Sequence, residues 1–220
     1  MKIFIKSLIF GTFTLGALSS CGQQQDANKQ KAMEDKAAQK PELELATFGT
    51  GCFWCTKAQF EMLDGVESVV SGYSGGFIAN PTYEEVCGKQ TGHIECAQIL
   101  FDPKKISYVD LLEGFFRSHD ATSKDRQGND VGPQYRSAIF YHNDNQKALA
   151  EKAIKELDAS GAYSKPIVTE VRKAEKFYRA EEYHQNYYAQ NPYQGYCSFV
   201  VAPKVDKFKK VFKEKLRKGI

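Results

Sequence analysis

The sequence GCFWC at residues 51–55 constrains this chain more than any other segment. It follows an alternating apolar run and opens an amphipathic stretch, residues 56–63, which an Asp-Gly pair closes. The pattern predicts a helix that begins at the first cysteine. Unpaired N–H groups and the macrodipole at a helix N-terminus stabilise an anion, and therefore a thiolate. We predict that Cys52 is a nucleophile and that Cys55 resolves whatever Cys52 becomes.

A Cys-x-x-Cys pair has two other interpretations, half of a metal site or two ordinary buried thiols. A structural zinc site needs a second pair of ligands at similar spacing. The other thiols beyond the pair, Cys87, Cys96 and Cys197, stand singly, which disfavours a metal site. Between catalysis and two buried thiols the pair by itself does not decide.

The composition indicates a globular chain without an affinity for nucleic acid. Its 220 residues suffice for one packed domain and an N-terminal extension, and 42% of them are hydrophobic. The formal charge of +3 comes entirely from residues 1–41, because the remainder carries equal numbers of basic and acidic residues. That balance gives no support to nucleic-acid binding.

Residues 1–20 are predicted to be a lipoprotein signal peptide. Two lysines precede an apolar run, residues 7–18, that is too short to span a bilayer as a mature helix. The run leads into LSSCG at residues 18–22, which resembles a bacterial lipobox and predicts acylation of Cys21. An ordinary secretory signal is the alternative.

Residues 21–41 are predicted to be a flexible tether, because they are polar and hold few apolar side chains. The domain is then expected to span residues 42–220, anchored to a membrane of the cell envelope and facing the periplasm or the exterior. Exported proteins meet an oxidising compartment, where paired cysteines persist as disulfides. A catalytic pair there needs reducing equivalents from a partner.

Strand and helix patterns interleave through the domain, which favours an α+β sandwich with one mixed central β-sheet and flanking helices. Strands are predicted at residues 43–48, 66–73, 94–101, 137–141 and 167–171. Further helices are predicted from Ser107, from Asn143 or Asp144 to residue 160, over residues 180–190 and from Lys204. The last helix is amphipathic and basic, and a solvated basic face is favoured over membrane contact.

Seven short motifs occur in order between residues 48 and 203. They are GTGCFW (49–54), SGYSGG (71–76), NPTYEEVC (80–87), TGHIE (91–95), QGND (127–130), QYRSAI (134–139) and NPY (191–193). Through them the chain resembles the peptide methionine sulfoxide reductase A family over most of the predicted domain. Any one motif is weak evidence, whereas seven in order are specific.

The resemblance implies a mixed α/β fold and an activity, that of a peptide-methionine (S)-S-oxide reductase. Such an enzyme reduces the S epimer of methionine sulfoxide, free or in proteins, to methionine. It implies no bound metal or organic cofactor, and reducing equivalents from thioredoxin or a similar dithiol protein. In the envelope the expected role is repair of oxidised proteins, and the protein is expected to be a monomer.

The resemblance also assigns the reacting groups. A sulfoxide sulfur is a poor electrophile until its oxygen is protonated or hydrogen-bonded. Cys52 would attack that sulfur, Glu95 would supply the proton from a pocket that raises its pKa, and Tyr83 and Tyr135 would hold the oxygen. Without the resemblance, Glu95 reads as an outward strand residue in a salt bridge, and the tyrosines carry little information.

The substrate's remaining groups have predicted contacts too. Phe53 and Trp54 would form an apolar wall for its S-methyl group. Asp130 and His184 match positions that orient the substrate backbone, although a surface position on an amphipathic helix is an equal alternative for His184.

Reduction of the sulfoxide leaves a sulfenic acid on Cys52, which a second thiol converts to a disulfide. Cys55 resembles the resolving thiol of the subgroup that resolves within the motif. Cys197, in GYC at residues 195–197, matches a position used by other members and is a candidate second resolving thiol. Cys87 and Cys96 are expected to be buried structural thiols.

Two rival functions use the same cysteine pair. One is a thioredoxin-like disulfide oxidoreductase, although such motifs usually place small or polar residues between the cysteines. The other is a lipid-tethered binding protein or metal carrier.

Overall fold

A computed structural model describes residues 31, 35–36, 40 and 42–220. The predicted signal peptide, Cys21 and most of the predicted tether lie outside the described residues. Within the described part of the chain, no helix has the length and apolar character needed to cross a bilayer.

The strands form one six-stranded sheet and a separate two-stranded hairpin. The sheet contains β1 (Glu44–Thr50), β2 (Val66–Ser74), β3 (Ile94–Phe101), β6 (Ser137–Tyr141), β7 (Glu170–Lys173) and β8 (Tyr178–Arg179), and the hairpin contains β4 (Arg126–Gln127) and β5 (Asp130–Val131). The order across the sheet is β7-β6-β1-β3-β2-β8. Only the β6–β7 pair is parallel, so the predicted mixed sheet is confirmed.

The helices pack around this sheet and are joined by short turns. They are α1 (Phe53–Phe60), α2 (Tyr83–Cys87), α3 (Tyr108–Ser118), α4 (Asp144–Ser160), α5 (Tyr187–Gln190) and α6 (Ala202–Val211). A π-helical turn, Cys197–Val201, leads into α6, and 3-10 turns lie at Pro133–Tyr135, Glu182–His184 and Lys213–Lys215.

Side-chain caps begin the two long helices where the sequence predicts. The Ser107 hydroxyl accepts from the Asp110 backbone N–H at 3.1 Å, and the Asp110 carboxylate accepts from the Ser107 N–H at 3.0 Å. Asn143, one of the two candidates, caps α4 by accepting from the Gln146 N–H at 2.9 Å. Gly161 ends α4 in the left-handed region, with φ of 68°.

The helix predicted over residues 180–190 is wrong. The Gln185 side chain accepts from the Ser71 N–H at 3.1 Å and donates to the Ser71 carbonyl at 3.0 Å, which holds this segment to β2. Asn186 then has φ of 57°, so only a 3-10 turn and the short α5 form. The strand predicted at 167–171 also starts later, because the Val168 N–H donates to Ala121 outside the sheet.

Apolar side chains cover both faces of the sheet. On the front face, the ring of Phe48 lies 5.7 Å from that of Phe60 on α1 and 5.2 Å from that of Phe115 on α3. Phe208 of α6 packs 5.8 Å from Phe60, so the apolar side of the predicted basic helix faces the core. Each such buried ring contributes roughly 1.5–3 kcal/mol.

The turn that connects β1 to α1 positions the candidate site. β1 is hydrogen-bonded between β3 and β6, and α1 follows it after a two-residue turn at Gly51 and Cys52. Gly51 has φ of +91°, and a Cβ there would lie 2.6 Å from Cγ of Gln127. Glycine is therefore required where the chain turns into the helix.

Candidate active site

Cys52 lies at the N-cap of α1, as predicted. Its backbone is extended (φ −66°, ψ 120°), and its carbonyl accepts from the N–H groups of Cys55 at 3.1 Å and Thr56 at 3.3 Å. The Cys52 residue is only 5% exposed, and Cys55 is buried beside it, one helical turn along. Both thiols are free, so the structure corresponds to the reduced pair.

The two thiols differ in acidity. Burial raises the pKa of Cys52 well above its usual value, and the neighbouring Cys55 adds to that effect. The hydrogen bond with Cys52 lowers the pKa of Cys55. This differs from the low pKa that a helix N-terminus by itself predicts for Cys52, because the loss of hydration outweighs the helix end.

Glu95 points from the central strand β3 toward the start of α1. It is 2% exposed, and its Oε2 accepts from the Phe53 backbone N–H at 3.2 Å. Burial raises the pKa of this carboxyl well above its usual range, and the nearby charges of Cys52 and Asp130 raise it further. The alternative of an outward strand residue is wrong, and the burial of Glu95 favours a protonated acid near Cys52.

Tyr83 and Tyr135 reach the same pocket from two different elements. Tyr83 begins α2, where its N–H donates to Glu181 at 2.8 Å, and Tyr135 ends a 3-10 turn before β6. Burial is the main cause that raises the pKa of both phenols, and the charge of Glu95 contributes to both. Both hydroxyls therefore remain protonated and can donate to an acceptor.

Phe53 and Trp54 form the start of an aromatic wall. Trp54 stacks on Tyr187 with 3.9 Å between ring centroids and 8° between planes. Its indole Nε1 donates to Nδ1 of His184 at 3.2 Å, and the Phe53 ring lies 5.1 Å from that imidazole. The pocket therefore has an apolar side close to Cys52.

His184 belongs to the pocket, and its alternative as a surface residue is wrong. It is 2% exposed, and burial lowers its pKa to about 4, so the imidazole is neutral at physiological pH. Because Nδ1 accepts from Trp54, the hydrogen resides on Nε2. That buried Nε2 has no hydrogen-bond partner among the described residues.

Asp130 approaches the candidate site from the β4–β5 hairpin. Its Oδ2 accepts from the Tyr196 hydroxyl at 2.6 Å. The Tyr196 ring meets the Trp54 ring edge-on, with centroids 5.7 Å apart. Burial dominates the pKa of Cys52 and raises it, and the Tyr196 hydroxyl acts in the other direction.

Sequence reasoning missed three residues of this site: Tyr196, Tyr187 and Glu181. Glu181 accepts from the Tyr73 hydroxyl at 2.9 Å as well as from the Tyr83 N–H, so it ties α2 to β2. Tyr196 directly precedes Cys197, which is the sequence signal that could have found it.

The remaining thiols divide into three settings. Cys197 is buried in the large apolar cluster that also contains Cys52 and Cys55. Cys96 is buried on the back face of the sheet, as predicted. Cys87 is partly exposed and hydrogen-bonds to the Tyr83 hydroxyl, so its predicted burial is wrong, because α2 ends at the surface.

The described residues hold no group of three or more His, Cys, Asp or Glu side chains placed to bind a metal ion. Across that part of the chain, Cys52 and Cys55 thus lack the further ligands that a zinc site would require.

Comparisons with known proteins agree with the geometry. A family model described as peptide methionine sulfoxide reductase matches residues 44–216. Peptide methionine sulfoxide reductase MsrA 1 of Rhodopirellula baltica is 54% identical over 178 residues, 81% of this chain and 92% of the relative. The MsrA of Natronomonas pharaonis is 53% identical over 171 residues, 78% of this chain and 96% of the relative.

Two solved structures have the same fold. The reduced form of Mxr1 from Saccharomyces cerevisiae superposes with a TM-score of 0.66 at 35% identity, over 71% of this chain and 89% of the other. Methionine sulfoxide reductase A of Corynebacterium diphtheriae gives a TM-score of 0.62 at 35% identity, over 72% and 79%.

Proposed function

Because the chain belongs to the peptide methionine sulfoxide reductase family and is an enzyme of the MsrA type, we propose that it reduces the S epimer of methionine sulfoxide with Cys52 as nucleophile and Glu95 as proton donor. It is therefore neither the thioredoxin-like oxidoreductase nor the metal carrier that the cysteine pair alone allowed. One observation carries the proposal: the start of α1 holds a buried thiol and a buried carboxyl together, through the Phe53 N–H bond to Glu95.

The pocket suits a sulfoxide on each of its sides. The S-methyl group lies against Phe53 and Trp54, which are apolar and close to Cys52. The oxygen faces the Tyr83 and Tyr135 hydroxyls and the Glu95 carboxyl. With two different sides, the pocket accepts one arrangement of oxygen, methyl group and side chain around sulfur, and therefore one epimer.

The substrate backbone is held farther out. The Nε2–H of neutral His184 is a buried donor without a partner among the described residues, and it suits a substrate carbonyl. One oxygen of Asp130 bonds Tyr196, and the carboxylate retains capacity to accept a substrate N–H.

The first chemical step transfers the sulfoxide oxygen to Cys52. Glu95 donates its proton to the sulfoxide oxygen, and the Cys52 thiolate attacks the sulfoxide sulfur. Attack forms a bond between Cys52 Sγ and the substrate sulfur. The protonated oxygen then moves from the substrate sulfur to Sγ as the sulfur–sulfur bond breaks, which releases methionine and leaves a sulfenic acid on Cys52. The substrate sulfur is reduced by two electrons and the Cys52 sulfur is oxidised by two.

Cys55 resolves the sulfenic acid. The Cys55 thiol lies one helical turn from Cys52; its sulfur attacks the Cys52 sulfur and forms the disulfide, and the displaced hydroxide leaves as water with the proton of the Cys55 thiol. Cys197 lies in the same cluster and is a second thiol within this region. An external dithiol of the thioredoxin class then reduces the disulfide by thiol exchange.

The decisive experiment follows NADPH consumption through thioredoxin and its reductase, with each epimer of methionine sulfoxide tested separately. We expect turnover of the S epimer alone, and none with Cys52→Ser. Turnover of the R epimer at a similar rate would contradict the proposed pocket. If neither epimer turns over, a single-turnover assay with dithiothreitol separates a wrong reductant from a wrong reaction.

We further propose that the protein is a lipoprotein of the cell envelope, where it repairs oxidised proteins. The support is the charged, apolar and LSSCG sequence of residues 1–22. Expressed in a bacterial host, the full chain should incorporate labelled fatty acid and sediment with membranes, and Cys21→Ala should do neither. Membrane-free wild-type protein without label would overturn this.

A further inference from the structure

Gln127 attaches the β4–β5 hairpin to the rest of the molecule. Each strand of the hairpin has two residues, and among these four Gln127 is buried while the other three are exposed or partly exposed. A two-stranded hairpin is marginally stable at best in water by itself. The position of this short hairpin therefore depends on the contacts of its buried side chain.

The Gln127 amide brackets the backbone of a separate loop. Its Oε1 accepts from the Asp120 N–H at 3.1 Å, and its Nε2 donates to the Asp120 carbonyl at 2.6 Å. Two hydrogen bonds to one residue fix the orientation of the amide as well as its place.

The stem of the same side chain lies on the turn that carries the candidate nucleophile. A Cβ at Gly51 would lie 2.6 Å from Cγ and 2.7 Å from Cβ of Gln127, so the two segments touch because Gly51 has no side chain. Cys52 is the next residue along the chain. Gln127 thus sets the separation between the hairpin and the start of α1.

Asp130 lies on the same face of the hairpin as Gln127. The two residues are direct partners across the strands, and directly opposite residues of an antiparallel pair project to the same side. The Asp130 carboxylate accordingly accepts from Tyr196 at 2.6 Å, and the Tyr196 ring packs against Trp54 of α1. The side chain that anchors the hairpin and the carboxylate that is proposed to bind substrate therefore face the same helix start.

We propose that Gln127 is a positioning residue that holds the Asp130 carboxylate beside the Cys52 turn, where it accepts a backbone N–H of a bound peptide. Without the amide, the hairpin keeps the Tyr196 bond but loses its attachment to Asp120, so the carboxylate is placed less accurately. Recognition of the peptide backbone then weakens, while the reaction at sulfur does not involve Gln127. This role rests on the proposed binding of substrate by Asp130.

The test compares two sulfoxides in single turnover. One is a blocked peptide that contains the S epimer of methionine sulfoxide and has backbone N–H groups, and the other is dimethyl sulfoxide, which has none. Gln127→Met keeps a stem of similar length on Gly51 and removes the amide. Asp120 is exposed, so water can take over its backbone groups in the variant.

Gln146→Met is the matched control. Gln146 is 1% exposed and brackets the backbone in the same way, since its Oε1 accepts from the His142 N–H at 3.0 Å and its Nε2 donates to the Leu45 carbonyl at 2.8 Å. Leu45 lies at the other end of β1, about 20 Å from Gly51 at the usual rise of a strand. The control therefore removes an equivalent pair of hydrogen bonds far from the candidate site.

For Gln127→Met we expect the half-saturating concentration of the peptide to rise about 10-fold, the factor that one aligned hydrogen bond to a charged group is worth. The maximal rate with the peptide, and reduction of dimethyl sulfoxide, should change by less than about 2-fold. Gln146→Met should match wild type with both sulfoxides. Equal losses with both sulfoxides, or no loss with either, would overturn the proposal.

A double variant tests whether Gln127 acts through Asp130. Asp130→Ala should weaken binding of the peptide by itself, and the addition of Gln127→Met should then change the half-saturating concentration by less than about 2-fold. A second 10-fold loss would mean that the two residues act independently, which contradicts a positioning role.

Gln127→Glu covers the case in which Gln127→Met does not fold. It keeps the stem and the acceptor for the Asp120 N–H, and it removes the donor to the Asp120 carbonyl near neutral pH. We expect a smaller increase in the half-saturating concentration, again for the peptide alone. An unchanged value for the peptide, or an equal loss with dimethyl sulfoxide, would contradict the role.

Equilibrium binding separates this proposal from the proposed function. Titration of the peptide into Cys52→Ser protein, followed by NMR, gives a dissociation constant without turnover, and Gln127→Met should raise it about 10-fold. If wild type forms methionine from the peptide but this constant does not change, the reaction stands and the role of Gln127 is wrong. If wild type reduces neither sulfoxide but the constant rises as expected, the reaction is wrong and the role of Gln127 stands.

Discussion

Cys52 and Cys96 are both buried thiols with raised pKa values, yet their surroundings differ in kind. Cys52 lies on the front side of the sheet, beside Cys55, Glu95 and the Tyr196 hydroxyl. Cys96 lies on the back face in an apolar cluster with Leu100, Phe140 and others. Burial therefore does not distinguish the proposed nucleophile from the thiol of the apolar cluster, and the polar groups around the sulfur do.

Glu95 and Cys96 show the same contrast between the two faces of the sheet, although they are neighbours in one strand. Successive side chains of β3 point to opposite faces of the sheet. The carboxyl consequently enters the front pocket and accepts from Phe53, while the next residue enters the core. One peptide bond separates the proposed proton donor from a thiol buried in the apolar cluster behind the sheet.

Replacement of Cys52 is expected to reduce activity more than any other change. Cys52→Ser replaces the attacking sulfur by a hydroxyl that stays protonated, so methionine formation should fall by at least about 10,000-fold. Single-turnover formation of methionine from the S epimer measures this. Cys96→Ser is the control, and if it lost as much activity, the contrast between the two regions would be wrong.

Glu95→Gln should reduce single-turnover methionine formation by about 1,000-fold, within the usual range for removal of a general acid. The amide oxygen can still accept from the Phe53 N–H, so the fold is retained.

The Glu95→Gln variant should lose activity, yet its stability relative to wild type should increase. The folded protein holds the Glu95 proton to a higher pH than the unfolded chain does, so wild-type stability falls relative to the variant as pH rises above about 4. As the pH rises, the unfolding temperature of Glu95→Gln should exceed that of wild type by an increasing amount. A constant difference at every pH would contradict the raised pKa.

Cys55→Ser should still complete a single turnover but should not sustain repeated turnover with thioredoxin. Sulfenic acid would still form on Cys52, but steady-state turnover with thioredoxin should fall roughly 100-fold without the neighbouring thiol. The measurements are methionine formed per enzyme without reductant and NADPH consumption with it. Full steady-state activity that disappears on adding Cys197→Ser would assign the resolving role to Cys197 instead.

Tyr83→Phe and Tyr135→Phe should each lower methionine formation by about 10-fold, because each removes one donor to the sulfoxide oxygen and leaves the other. Their combination should lose more than either variant. Tyr183→Phe is an exposed neighbour for comparison. A single variant as inactive as Cys52→Ser would mean that the phenol has a different role.

The smallest effect on activity is expected on the back face. Cys96→Ala should leave methionine formation within about 2-fold of wild type and lower the free energy of unfolding by roughly 1–2 kcal/mol through the small cavity it creates. Chemical denaturation measures the second quantity. A large loss of activity without loss of stability would show that the two faces are coupled.

Local sequence signals predicted several elements, including those that carry Cys52 and Glu95. Periodicity placed β3 over Ile94–Phe101, and the Asp110 capping box placed the start of α3. The glycine-flanked turn before Cys52 placed the start of α1. These signals depend on neighbours a few residues apart, so they can be read without tertiary structure.

The segment from Ala180 to Cys197 could not be read in this way. Its conformation depends on Gln185 bonding Ser71, 114 residues away in sequence, and on the stacking of Tyr187 on Trp54. The sequence of this segment has a helical pattern of apolar residues, but those distant contacts determine its conformation instead. His184 and Tyr196 likewise depend on residues distant in sequence: His184 accepts from Trp54, and Tyr196 packs against Trp54 and donates to Asp130.

By itself the sequence determined which groups are proposed to react and that a helix begins at Cys52, because helix caps, alternation and short motifs are local. Only the tertiary structure decided how those groups ionise. The pKa values of Cys52, Glu95 and His184 depend on the water that folding removes and on the partners that distant segments bring. Both are properties of the packed molecule.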